Sequence, residues 1–414
     1  MSTSNAALER VAGHAGTPAY AYDVAGIRGR FAELQQAFGG RFGVSFAVKS
    51  NPNLGLLAAI RGLPATLDVS AIAELERGLL AGYAAEKLTF SGPAKRPFEL
   101  ERAVDAGCGE IVCESVRELR DISRIAGEKG RTVHVLLRIN PDRVPQQFGV
   151  SMAGKPSAFG IDEEEADDAV RLALELPHVK LAGFHVYSGT NSLSVDAIDE
   201  NFGIFIGIYA RLATKHGFRP RTLIFGSGFG IPYNDGQQPL DLAALALRIN
   251  ARIDAMRQVP ELADAELMLE MGRWLVGPHG WLLTSVVATK RSRGADIAML
   301  DAGFNNHLAA AGMMGTVIRR NWQFTVLTGP DREKATYTLV GPLCTTIDQM
   351  ASKIELPELR IGDVLAIASS GAYGLTASPT RFISHPEPVE ILILPDGSLQ
   401  DVTESRLNAP RKRE

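Results

Sequence analysis

Short apolar runs alternate with amphipathic stretches along most of the chain, and this alternation constrains the fold more than any other feature. FGVSFAVK is followed by LDVS before AIAELERGLLAGY, KLTFSG before PFELERAVDAG, EIVCES before VRELRDISRIAGEKG, and TVHVLLRIN before IDEEEADDAVRLALEL. The series continues with VKLAGFHVYSG before VDAIDENFGIFIGIYARLATKHG and TLIFGSG before PLDLAALALRINARIDAM, and it ends on ELMLEMG. Near-continuous apolar runs mark strands buried on both faces, and a 3.6-residue period marks the helices between them, which is the pattern of parallel β/α units. Eight such strands between about residues 40 and 275 predict a (β/α)8 barrel rather than an open doubly wound sheet.

After Gly277 the texture changes to WLLTSVVATKR, DIAMLDAG, FTVLTG, TYTLVGPLC, DVLAIASSGAYG and VEILILPDG, with few helical stretches between them. This predicts a second, all-β domain, sandwich or barrel. The strand-like TPAYAYD, Thr17 to Asp23, precedes the barrel and is expected to pair with that domain. The expected layout is residues 1–30 joining the β domain, 31–277 the barrel, 278–405 the β domain and 406–414 a frayed basic tail. A net charge of −4 with 45% apolar and 22% charged residues fits a globular chain and gives no sign of attraction to nucleic acid or membrane. A small molecule or a protein is the better partner. Cys108, Cys113 and Cys344 show neither a disulfide framework nor metal-ligand spacing, and MSTSNAALER lacks the blocks of a signal peptide, so the expected compartment is the reducing cytoplasm. No apolar run reaches the roughly 18 residues of a membrane span.

In such a barrel the residues ending each strand gather at one face, where active sites lie. Here they are Lys49, Asp68 with Ser70, Ser91, Glu114, Arg138, His185 with Ser188, Gly226, Gly228 and Gly230 of GSGFG, and Glu270 with Arg273. Taken singly, Arg138 or Asp68 reads as an ion-pair partner and Lys49 as a lysine that snorkels from a strand end. A charge at the end of a buried strand is nonetheless costly without a partner. The loops after strands seven and eight are the usual phosphate cradle of these barrels, and the small residues of GSGFG let backbone N–H groups approach an anion. EMGR then adds Glu270, Gly272 and Arg273. A phosphate-bearing ring that meets a carboxylate, beside a lysine able to form a Schiff base, meets the requirement for pyridoxal 5′-phosphate.

FAVKSN, HVYSG, GSGFGIPY, EMGRWLVGP, GPLC with Asp348, and GAYG, spread from residue 42 to 374, resemble the fold-type III pyridoxal-phosphate decarboxylases. That group contains the diaminopimelate and ornithine decarboxylases, with an alanine-racemase-like barrel. The resemblance implies that Lys49 carries the cofactor, that His185 stacks on its ring, and that Ser188, Gly228, Gly230, Gly272, Arg273 and Tyr373 surround its phosphate, with Asp68 among the cofactor contacts. It places Glu270 at the pyridine nitrogen, where a carboxylate favours the protonated ring that accepts electrons when Cα loses carbon dioxide. It also implies a head-to-tail homodimer in which Cys344 of the neighbouring subunit helps return the proton. Outside the GPLC context Cys344 reads as an inert thiol. Racemases of this fold use an arginine at the pyridine nitrogen and a tyrosine as second base, and Glu270 and Cys344 argue against that chemistry.

Diamine-forming members resemble one another in an acidic residue directly after the catalytic cysteine, where this chain has Thr345 and Thr346. The arginine and tyrosine that follow the DxGxN stretch in diaminopimelate decarboxylases have no obvious counterpart in DAGFNNHLAAAGMMG. Losing a buried charge partner weakens recognition by several kcal/mol, which disfavours free diaminopimelate and ornithine. KPSAFGID, HVYSGTNSL and FNNHLAAAG look like a subgroup tied to natural-product, siderophore and exopolysaccharide biosynthesis, some of whose members act on amino acids conjugated to a carrier protein or to citrate. Candidate contacts for the far end of the substrate are Arg138, Asn305, Asn306, His307, Asp348 and Arg381. Two other readings stay open: a decarboxylase of a free diamino acid, and an inactive homologue acting as a binding regulator, against which Lys49, His185, Glu270, Arg273 and Cys344 all speak.

Overall fold

A computed structural model describes residues 3–145, 150–151, 154–313 and 320–404 of the chain, so the basic tail named above lies outside the described residues. The eight expected strands form at Gly43–Ala47, Thr66–Val69, Leu88–Phe90, Glu110–Cys113, Val133–Asn140, Val179–Val186, Thr222–Gly226 and Glu266–Met271. Each pairs in parallel with the next, and the eighth returns to the first through Met268 opposite Gly43 and Glu270 opposite Ser45, which closes the barrel. The period-two alternation of side chains sorts the core. Val112, Leu136, Ala182, Ile224 and Met268, from five successive strands, make a cluster without helical members inside the barrel. Their neighbours Ile111, Leu137, Leu223 and Leu267 pack outward with Leu119, Ile122, Phe205 and Ile249 of the surrounding helices.

The helices start where the sequence supplies caps. Ser115 accepts from the Glu118 amide at 3.1 Å to begin Val116–Glu128, which buries Leu119, Ile122, Ile125 and Ala126 on one face. The long helix Val195–His216 ends on Gly217 in the left-handed conformation at φ 57°.

The second domain is all β. Its sheet runs in the order Gln349–Pro357, Lys334–Val340, Ala295–Leu300, Gly280–Ser292, Ala19–Asp23, Val389–Ile393 and Leu399–Asp401, with Val364–Ile367 and Phe324–Val326 branching from Gly280–Ser292. Ala19–Asp23 therefore lies inside this sheet, antiparallel to one neighbour and parallel to the other. Sequence patterning did not anticipate the helix Asn5–Ala15 or the strands Gln349–Pro357 and Leu399–Asp401. Among the described residues no helix is long and apolar enough to cross a membrane.

Candidate active site

Lys49 sits in the single helical turn Val48–Ser50 that ends the first barrel strand. The β domain holds that turn from behind: the Tyr373 amide donates to the Ser50 carbonyl at 2.9 Å, and Asn51 Nδ2 to the Gly371 carbonyl at 3.0 Å. Asn53 Nδ2 donates to Glu390 Oε2 at 2.9 Å and to the Val402 carbonyl at 3.0 Å. The polar Ser50-Asn51-Pro52-Asn53 run after the strand is thus a clamp between domains. Buried Glu390 also accepts from the Tyr22 hydroxyl at 2.9 Å. Burial pushes its carboxyl up to about 7, against the pull of those two donors.

Lys49 Nζ stands 3.5 Å from Glu270 Oε1 and 3.7 Å from Asp68 Oδ2, with 41% of the side chain open to the pocket. Burial draws the ammonium down, but the two carboxylates outweigh it and hold Lys49 above its ordinary value. The carboxylates share the cation unequally. Burial raises both, yet Lys49 and the His185 ring outweigh it at Glu270, which stays below the usual carboxylate range. Asp68 is left raised by burial and by Glu270, although Ser91 donates to its Oδ1 at 2.6 Å. His185 is fully buried with Nε2 2.7 Å from Glu270 Oε2. Burial lowers it despite that carboxylate, so the imidazole is neutral and donates from Nε2 to an ionised Glu270.

The same pocket is lined by Tyr187, Thr190, Gly228, Gly272, Arg273 and Tyr373. Gly228 has φ +65°, which glycine adopts without steric cost, and a Cβ on Gly230 would come within 2.8 Å of the Asn191 and Ser192 backbone. Burial of the Tyr373 phenol, countered in part by Lys49, pushes it up to about 12. Among the described residues, four buried polar atoms of the constellation have no hydrogen-bond partner: Asp68 Oδ2, His185 Nδ1, Ser188 Oγ and Arg273 Nε. Buried polar groups are normally satisfied. A guanidinium, a hydroxyl and a glycine-lined backbone suit a phosphate, and an ionised carboxylate beside a lysine suits a protonated pyridine ring with an aldehyde. The residues present therefore fit pyridoxal 5′-phosphate.

Several candidate substrate contacts are placed otherwise than the sequence suggested. Arg138 is buried and spent on Glu114 at 2.9 Å, beneath the Phe159 ring at 4.6 Å. Glu114 also accepts from the amides of Gly92 and Gly160, so the pair ties barrel loops together. Asn305, Asn306 and His307 have at most 1% exposure and are not part of the pocket wall. Arg381 is exposed beside the turn Phe382–Ser384. Asp348 is buried and accepts from the amides of Phe304 at 2.9 Å and Leu343 at 2.8 Å, which fixes the turn leading to Cys344. Asp348→Ala leaves two buried amides unpaired, and we expect it to cost about 1–3 kcal/mol in urea unfolding while leaving the ranking of substrates unchanged. A changed ranking at unchanged stability would restore Asp348 to the substrate site. Cys344 itself is exposed and lies outside the lining of the pocket.

Tyr187 and Thr190 were missed. Tyr187 lies two residues after His185 at a strand end, so period two already places both on one face; its ring centre is 5.8 Å from Lys49 Nζ.

A closed parallel barrel with a lysine, a carboxylate and a glycine-lined pocket at one face defines a class of enzyme. The chain belongs to the pyridoxal-dependent decarboxylases: residues 24–277 match the family model for their pyridoxal-binding domain. It is 32% identical over 380 residues to the L-glutamyl-(BtrI acyl-carrier protein) decarboxylase of Niallia circulans, covering 91% of this chain and 88% of that protein. It is 34% identical over 390 residues to the diaminopimelate decarboxylase of Pseudomonas aeruginosa, covering 94% and 90%. With the 2-((L-alanin-3-ylcarbamoyl)methyl)-2-hydroxybutanedioate decarboxylase of Staphylococcus aureus it shares 29% over 378 residues, covering 89% and 92%. The crystal structure of diaminopimelate decarboxylase from M. jannaschii superposes with a TM-score of 0.87 at 27% identity, covering 96% of this chain and 92% of that one.

Proposed function

We propose that the chain removes the α-carboxylate of an amino acid whose far end is already conjugated, to a carrier protein or in a citryl-type linkage, in a biosynthetic pathway of the cytoplasm. The observation that carries the decarboxylase reading is the Lys49–Glu270–His185 arrangement in a barrel of this family. The cofactor, when bound, supplies the electron sink that lets the bond between Cα and the carboxylate break. Arg273, Ser188 and the Gly228–Gly230 backbone would hold its phosphate, and Lys49 Nζ would be its attachment point. Glu270, which accepts from His185 Nε2, would hold a proton on the ring nitrogen. Cys344 Sγ of a second subunit, or Lys49 Nζ, returns a proton to Cα. Exposed Cys344, with exposed Ile347 beside it and exposed Phe382 packed on Phe304, supports a homodimer with shared sites.

Thr345 supports the conjugated substrate, because an acidic residue there would suit a distal ammonium and a threonine does not. Two of the relatives above have conjugated substrates by name, which points the same way. The test is mass spectrometry of the holoenzyme with free diaminopimelate, lysine, ornithine and arginine beside N-acylated, citryl and carrier-linked forms. Loss of carbon dioxide from the conjugates, at least about tenfold faster than from any free diamino acid, is expected. Efficient turnover of a free diamino acid would sink the conjugate reading.

A further inference from the structure

We propose that Tyr233 and Trp322 are positioning residues for Arg273, so that the β domain sets the geometry of the anion cradle from behind the barrel. This rests on the reading of Arg273 as the phosphate-holding residue. Arg273 has five donors in a planar fork, and it must be fixed in rotation before it can present two of them to one anion. Its Nη1 donates to the Tyr233 hydroxyl, and its Cζ lies 4.7 Å from the Tyr373 ring centre and 5.6 Å from that of Tyr233. Nε has no hydrogen-bond partner among the described residues.

Tyr233, which ends GSGFGIPY, is itself clamped. Its ring stacks on Trp322 at 4.4 Å and 29°. Its amide and that of Asn234 donate to Gln237 Oε1 at 2.8 and 3.0 Å, and Asn234 Nδ2 donates to the Asn321 carbonyl at 2.9 Å. Trp322 is backed edge-on by His307 at 4.6 Å. Burial pushes the His307 imidazole down to about 3, so the row ends in a neutral ring and adds no second cation behind the arginine. The polar Asn305-Asn306-His307 segment thus belongs to a buttress that runs from His307 through Trp322 and Tyr233 to Arg273.

The experiment is a cycle of Tyr233→Phe, Arg273→Lys and the double variant, read by dissociation of pyridoxal 5′-phosphate and by the 31P resonance of the bound cofactor. Tyr233→Phe keeps the stack, so the fold holds and melting falls by no more than one lost hydrogen bond costs, while the cofactor dissociation constant rises about tenfold and the 31P signal shifts. In the Arg273→Lys background the same change has no further effect, because its target is gone. Trp322→Leu reproduces the loss and Trp322→Phe, which retains an aromatic face, restores most of it. Wild-type affinity in Tyr233→Phe, or additive losses in the cycle, would overturn the proposal while leaving the phosphate reading intact. Wild-type affinity in Arg273→Lys would overturn the phosphate reading and the positioning role with it.

Discussion

Lys49→Ala and Lys49→Arg each lose carbon dioxide release by at least about a thousandfold, or about 4 kcal/mol in the barrier, and neither retains visible absorbance after gel filtration with pyridoxal 5′-phosphate. The two variants fail for separable reasons. Arginine keeps a cation between Glu270 and Asp68, so the balance that holds Glu270 ionised survives, and what disappears is an amine able to attach the cofactor. Alanine removes both. Glu270 still accepts from His185, but Asp68 Oδ2, with no hydrogen-bond partner among the described residues, loses its cation and takes up a proton more readily. Because 41% of the Lys49 side chain is open, neither change leaves a packing defect, but only arginine keeps a cation between the two buried carboxylates, so the arginine variant should melt close to the wild type and the alanine variant below it. An arginine variant that keeps its colour or its turnover would remove Lys49 from the chemistry.

The barrel was legible because parallel strands covered on both faces leave near-continuous apolar runs, and the candidate site because polar and charged side chains cluster at the C-terminal ends of those runs. Lys49, Asp68, His185 and Glu270 are far apart in the chain, yet each lies at or just beyond the C-terminal end of a strand, with Arg273 three residues after Glu270, and closure of the barrel brings them together. What stayed hidden depends on docking between the domains. Asn306 and His307 are polar and flank a small-residue loop, a pattern that suits ligand contact; burial against Tyr20 and Trp322 makes them support instead. The partners Asn53 and Glu390 are separated by 337 residues and share no local pattern. The strand Gln349–Pro357 escaped because its alternation breaks at Lys353, at φ +49° beside the register shifts with Lys334–Val340.

Mixing Lys49→Ala chains with Cys344→Ala chains recovers about a quarter of wild-type turnover, although each variant alone is reduced at least a hundredfold, in the range of a lost general acid. Cys344 stands apart from the pocket that its own chain forms around Lys49. Asp348 fixes the turn before it by binding the Leu343 amide, and the thiol is exposed and absent from the wall of the pocket that holds Lys49. If each site takes its lysine from one chain and its cysteine from the other, a mixed dimer has one site with both residues and one with neither. Random pairing makes about half of the dimers mixed, and one site in two of those is intact, which gives the quarter. If Cys344 instead served its own chain, every site in every dimer would carry one defect and mixing would recover nothing. The test separates a shared site from a merely dimeric enzyme, because a dimer with self-contained sites gives the same zero as a monomer. It also separates the roles of the two residues: recovery to a quarter requires that Lys49 and Cys344 act at the same site, and activity of Cys344→Ala close to wild type would leave Lys49 Nζ as the group that returns the proton.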